Sequence, residues 1–168
     1  SWLIATMLKL SRLEAGVVEL QRAHVEAAQL IEKCVARLQT AAEWREVCLD
    51  VQLQPGASLV VDENWTMEAL CNIVKNAIEH SPAGGSVQIA ASENEIYTEI
   101  RVTDSGTGIS GEEREKLFQR FYRGSNAAED SIGIGLALAK EVVEQQHGHI
   151  RVESQEGEGT VFFLKFMK

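Results

Sequence analysis

The stretch NIVKNAIEHS, residues 72–81, carries two asparagines four apart in a run whose apolar positions repeat with the period of a helix. Asparagine disfavours helix interiors because its amide competes for nearby backbone groups. At about 3.6 residues per turn, Met67, Leu70, Ile73, Val74 and Ala77 gather on one side of such a helix. Asn72, Asn76 and Glu79 fall on the other side, with His80 on its flank. Two readings stay open at this point. The asparagines form a solvated face, or their amide oxygens face a hard cation such as Mg²⁺, which takes oxygen ligands alongside phosphate and water. Asp62 stands where an N-cap would start the helix, and Pro82 with Gly84-Gly85 closes it.

Towards the N-terminus, Leu3, Met7, Leu10 and Leu13 form one narrow helical seam that stops near Gly16. A helix of that kind calls for a partner helix, which another chain could supply. VVELQ (17–21) reads as a short strand, and residues 24–43 as a helix buried along Ala28, Ile31, Val35 and Leu38. Val47, Leu49, Val51 and Leu53 alternate as in a strand, Pro55-Gly56 makes a turn, and SLVV (58–61) is a further strand.

Beyond the asparagine helix, SVQIAAS (86–92) and IYTEIRVT (96–103) read as an antiparallel hairpin. Residues 105–131 hold four glycines and one helical patch, EEREKLFQRFY (112–122). A loop of that length inside a compact domain is functional or mobile, and the segment 124–131 offers little to bury. A helix follows over about residues 134–146, then strands HIRVES (149–154) and TVFFLKF (160–166) joined through Gly157 and Gly159. Several strands in a mixed sheet with about three helices predict an α/β two-layer sandwich.

The 168 residues suit one domain. Acidic side chains outnumber basic ones 25 to 16, a net charge of −9, which argues against a nucleic-acid binder. An anionic ligand would need local backbone amides, a metal ion or a few arginines. Cys34, Cys48 and Cys71 form no CxxC pair and read as reduced, buried thiols of a cytosolic protein. No apolar run reaches the length of a membrane span and no signal-peptide pattern opens the chain. Ser1 opens the chain in mid-helix pattern, so a piece of something longer is expected.

Further stretches carry candidate chemistry. In VTDSGTGIS (102–110), Asp104 ends a strand and Gly106 and Gly108 bracket a turn. A carboxylate there is either an ordinary strand-end residue or an acceptor for an exocyclic amine such as that of adenine. In SIGIGLALAKEVV (131–143), Gly133 and Gly135 open a helix where free N–H groups favour phosphate, or simply form a flexible entry. In LFQRFYRG (117–124), Phe118 and Phe121 would pack the loop on the domain. Arg120 and Arg123 would reach phosphate or solvent.

In this order and at these spacings the stretches resemble the ATP-binding catalytic domain of sensor histidine kinases, the Bergerat fold shared with DNA gyrase. NIVKNAIEHSP (72–82) is similar to the N box, DSGTGI (104–109) to the G1 box and LFQRFYRG to the F box. GIGLALAK (133–140) is similar to the G2 box, and GEGTVFFLKF (157–166) to the last glycine motif. MLKLSRLEAG (7–16) resembles the end of the second dimerisation helix. The resemblance implies a lead-in helix over residues 1–16 and a catalytic domain over 17–168, with a mixed, mostly antiparallel sheet and a mobile ATP lid.

It also implies a site for ATP and Mg²⁺. Asp104 would bind the adenine amine in a pocket shaped by Gly106, Gly108 and Ile109, with Thr160 near that end. Asn76 would coordinate Mg²⁺, and Asn72 would lie on the phosphate side. Gly133, Ile134, Gly135 and Leu136 would receive phosphate, Arg123 would reach the γ-phosphate, and His80 and Phe118 would touch the ligand. In gyrase-like relatives the position of Asn72 holds a glutamate that activates water, and an amide cannot act as that base. ATP would therefore be held for transfer to a histidine on a dimerisation helix.

None of His24, His80, His147 and His149 has the context of that histidine. The implied partners are the chain's own dimerisation helix in a homodimer and a response regulator, with no nucleic acid. The implied setting is the cytoplasmic part of a membrane-bound bacterial sensor, with no direct membrane contact here. Two departures bear on phosphate affinity: Glu79 stands where many members carry a basic residue, and Ser131-Ile132 precede Gly133 where Gly and a hydroxyl residue are common. Alternative readings are an anti-sigma-type serine kinase, which lacks the lead-in helix, and a degenerate interaction module. A gyrase-like ATPase clamp is disfavoured by Asn72.

Overall fold

The structure, a computed structural model, describes residues 2–120 and 133–168. The chain runs α1 (Trp2–Glu14), β1 (Arg22–Glu26), α2 (Ala27–Trp44), β2 (Cys48–Leu53), β3 (Ser58–Asp62), α3 (Glu63–His80), β4 (Ser86–Glu93), β5 (Tyr97–Asp104), α4 (Gly111–Lys116), α5 (Gly135–Gln145), β6 (Gly148–Ser154) and β7 (Thr160–Met167). Five strands form one sheet in the order β2-β4-β5-β7-β6, with β2 and β4 parallel and the other neighbours antiparallel. β1 and β3 form a separate antiparallel pair.

Alternation along the strands sends one set of side chains to the helices and the other to solvent. Ile100 and Val102 of β5, Phe162, Leu164 and Phe166 of β7, and Val87 and Ile89 of β4 lie buried beneath α2, α3 and α5. On the other face, Arg151 covers the Phe163 ring at 4.2 Å and Lys165 covers the Tyr97 ring at 4.5 Å, so aliphatic stems shield the aromatic rings there. This is the α/β two-layer sandwich expected from the sequence.

Helix α3 is fastened at its start by a buried polar cluster. Asp62 Oδ1 accepts from the Trp65 N–H at 3.0 Å, as an N-cap should, and Oδ2 accepts from the Gln21 N–H at 2.8 Å. The Asp62 N–H donates to Gln146 Oε1, and Gln146 Nε2 donates to Thr66 Oγ1 at 3.0 Å and to the Val142 carbonyl. The start of α3 is thereby tied to the end of α5.

Three expectations need correction. VVELQ is not a strand: Val17 is exposed, and the following five residues pair with β3 instead, which buries Val25 opposite Leu59. A strand forms where it finds a partner and a buried face, and tertiary pairing outweighs local composition here. For the same reason α2 starts at Ala27 rather than near residue 24. The third concerns Cys48, which is exposed because it lies on the solvent face of edge strand β2.

The seam of α1 finds its partner within the same chain. Leu10 and Leu13 are fully buried, and α1 packs against α5. Gln145 donates to the Leu13 carbonyl, Lys9 pairs with Glu68 at 3.1 Å, and Glu14 pairs with Arg120. Ile4 and Leu8 remain exposed on the outer side of the helix. We expect Leu13→Ala to cost about 2–5 kcal/mol in urea unfolding, the range for truncating a buried leucine. A loss near zero would mean that α1 swings free of the domain.

Candidate functional site

The two ends of the candidate site are set by the two ends of one stretch of α3. Asn72 and Asn76 are half-buried on the side of α3 away from the sheet. Asn72 Nδ2 donates to the Gly135 carbonyl at 3.3 Å, which places the asparagine beside the start of α5. Eight residues further on, the His80 carbonyl packs against Gly106 so closely that a Cβ there would collide with it. At 1.5 Å per residue, α3 separates the α5 start from the Gly106 turn by about 12 Å.

At the Gly106 end lies Asp104, the last residue of β5, with only 6% of its surface exposed. The Gly106 N–H donates to its carboxylate at 2.9 Å. Among the described residues it takes part in no ion pair. Burial pushes the Asp104 carboxyl above its usual range, and the Gly106 N–H, the nearby His80 and the Thr160 N–H pull it part of the way back. A buried carboxylate with accepting capacity to spare can take a hydrogen bond from an N–H₂ donor.

The loop after Asp104 is held by backbone contacts. Gly108 adopts a φ of 73°, and a Cβ there would strike the Gln155 carbonyl. The Gly157 N–H donates to the Thr107 carbonyl at 2.5 Å. Ser154, which sequence patterning does not single out, does most of the tying. Its Oγ accepts from the Ile109 N–H at 2.8 Å, bonds the Gly159 carbonyl at 2.9 Å and shares a hydrogen bond with Thr160 Oγ1 at 2.9 Å. No spacing signal marks a serine at the end of β6 as a clamp.

At the other end, α5 begins without a side-chain cap. Its N-cap, Ile134, is fully buried and offers no acceptor, and Gly133 before it has a φ of 72°. Ile134 and Leu136 point into the core, so it is the backbone that this turn presents. The first N–H groups of an uncapped helix carry partial positive charge and accept an anion readily.

Of the remaining predicted residues, Phe118 packs edge-on to Phe162 with centroids 6.2 Å apart, and Lys140 Nζ lies 5.6 Å from its ring. The helical patch is shorter than its sequence suggests, with α4 ending at Lys116. Arg120 is engaged with Glu14 rather than with the asparagine face. Glu79 lies 3.9 Å from Lys75 on the same helix, so its charge is partly offset at its source. Phe121, Arg123, the 124–131 segment and Ser131-Ile132 lie outside the described residues.

The donor set fits a nucleotide with a metal held mainly by phosphate. Asn76 offers one amide oxygen, and no cluster of three or more His, Cys, Asp or Glu side chains able to hold a metal occurs among the described residues. Mg²⁺ is commonly held by one or two protein oxygens plus phosphates and water.

Asp104 gives the site a stability signature. Its raised folded-state pKa means that the cost of its charge is absent below the ordinary aspartate value of about 4 and sets in as pH rises through the folded value. We expect the Tm of Asp104→Asn to gain on wild type between pH about 4 and pH about 7. A difference independent of pH would contradict the buried, charge-destabilised carboxylate.

Comparison with known proteins follows the same lines. A family profile described as histidine kinase-, DNA gyrase B- and HSP90-like ATPase matches residues 61–168. The chain is 33% identical over 165 residues to the sensor-like histidine kinase SenX3 of Mycobacterium tuberculosis, covering 96% of this chain and 40% of that protein. It spans well under half the length of the curated relatives it matches. Full-length ShkA in complex with AMPPNP superposes with a TM-score of 0.86 at 23% identity, over 98% of this chain and 35% of that one. The histidine kinase ThkA in complex with response regulator protein TrrA gives 0.78 at 21% identity, over 99% and 48%. Those two likenesses speak for the fold. The profile match covers α3, the Asp104 turn and the uncapped start of α5, and the chain belongs to the histidine kinase-, DNA gyrase B- and HSP90-like ATPase family.

Proposed function

We propose that this chain is the ATP-binding catalytic domain of a sensor histidine kinase, holding Mg²⁺-ATP so that its γ-phosphoryl passes to a histidine on a dimerisation helix and on to a response regulator. The observation that carries the reading is a buried carboxylate, Asp104, at one end of an α3 segment whose other end abuts an uncapped helix start. Base recognition and phosphate binding need those two features a nucleotide's length apart.

Each residue then has a task. Asp104 accepts from the adenine amine, and the Gly106 N–H holds its carboxylate in place. Gly106, Gly108 and Ile109 shape the wall at that end, with Thr160 beside it and His80 and Phe118 at the rim. Backbone N–H groups from Gly133 to Leu136 receive phosphate. Asn76 supplies the protein oxygen for Mg²⁺, and Asn72 braces the start of α5. Arg123 contacts the γ-phosphate.

Mg²⁺-ATP, when bound, supplies the transferable phosphoryl group and the charge that the metal neutralises. Asn72 has no carboxylate, so it cannot deprotonate water, and hydrolysis stays slow. SenX3 is named a sensor-like histidine kinase, and the ThkA structure holds a response regulator; both support the same assignment here. The whole protein is then a homodimeric, membrane-attached sensor with this domain on its cytoplasmic side. In the described residues no helix is long and apolar enough to cross a membrane.

Calorimetry of ATP binding with and without Mg²⁺ tests the reading. Wild type is expected to bind in an Mg²⁺-dependent way, and Asp104→Asn and Asn76→Ala to lose at least about tenfold in affinity, or about 1.4 kcal/mol, while staying folded. Wild type that binds no nucleotide, or variants that bind as well as wild type, would overturn it.

A further inference from the structure

Cys34 of α2 and Cys71 of α3 face each other across the interface between their helices. Their Sγ atoms are 3.5 Å apart and share a hydrogen bond. Cys34 is fully buried, and Cys71 retains 8% exposure. On the open side of the pair, the Arg37 guanidinium reaches to 3.9 Å from Cys71 Sγ. Neither thiol has a task in the nucleotide site, yet Cys71 immediately precedes Asn72.

Two thiols at this separation need to close by only about 1.5 Å to reach the S–S bond length of about 2.05 Å. The pair is also chemically unequal. The hydrogen bond shared by the two thiols, with Arg37 alongside, holds Cys71 below the ordinary thiol range, while the same bond and burial push Cys34 up. Thiolate character and access are what select a cysteine for oxidation.

We propose that Cys34 and Cys71 form an oxidisable dithiol in which a peroxide reacts at Cys71 and Cys34 resolves the product to a disulfide joining α2 to α3. In the first step the Cys71 sulfur attacks a peroxide oxygen. An S–O bond forms, the O–O bond breaks and one water leaves, giving a sulfenic acid. In the second, the Cys34 sulfur attacks the Cys71 sulfur. The S–S bond forms, the S–O bond breaks and a second water leaves with the Cys34 proton. Two thiols are oxidised and one hydrogen peroxide is reduced to two waters. The disulfide sits one residue from Asn72, so it is placed to bear on the asparagine face.

The test uses the chain carrying Cys48→Ser, which removes the exposed thiol and leaves the buried pair. After hydrogen peroxide, the intact mass is expected to fall by two hydrogens, the peptides of Cys34 and Cys71 to be found joined, and dithiothreitol to restore both thiols. With Cys34→Ser added, dimedone is expected to trap a sulfenic acid at Cys71. Arg37→Gln is expected to slow oxidation by at least about threefold. Two titratable thiols surviving a peroxide dose that fully oxidises Cys48 of the wild-type chain would overturn the proposal. So would oxygen addition at Cys71 without cross-linking in the chain that keeps Cys34. These readouts need no nucleotide, so they stand or fall separately from the ATP reading.

Discussion

The rest of the structure depends on how α3 is clamped. Its apolar stripe, including Ile73, Val74 and Ala77, lies fully buried on the sheet, with α2 on one side and α5 on the other. The Asp62, Gln146 and Thr66 cluster fixes its start, and the Gly106 turn closes on the His80 carbonyl at its end. A helix held on three sides and at both ends has one face left. That face carries Asn72, Asn76 and Glu79. The stripe that makes the core thus also sets the distance between the two ends of the site.

The ends themselves are made at a cost to local stability. An uncapped helix start leaves N–H groups without partners, and a typical cap contributes about 1 kcal/mol. A buried carboxylate without an ion-pair partner in the described residues is likewise destabilised by loss of solvent. Ordinary folding would favour a serine before α5 and a neutral residue at the end of β5. Both departures lie where a nucleotide's opposite ends would meet the protein, and such local conflicts mark functional sites.

Much of this was legible in the sequence, for physical reasons. The period of α3, its Asp62 cap and the alternation of β4, β5, β6 and β7 all report one buried face, which composition expresses directly. The Asp104, Gly106 and Gly108 turn was legible as a place of close backbone approach, and Gly106 and Gly108 do sit against the His80 and Gln155 carbonyls. The pairing of β1 with β3 was not legible, because Arg22–Glu26 becomes a strand only through its distant partner. Neither was the Ser154 clamp, nor the meeting of Cys34 with Cys71, since both depend on residues brought together by tertiary packing. The docking of α1 on α5 was half visible: Leu10 and Leu13 announced a seam without naming its partner.

Phosphoryl transfer is the measurement that bears most directly on the account. It calls for γ-labelled ATP given to the whole kinase, with label on protein and free phosphate followed in parallel. An asparagine in place of a general base predicts acid-labile label on a histidine appearing faster than phosphate is released. Phosphate release that outruns labelling would contradict it, and would make the site one for hydrolysis.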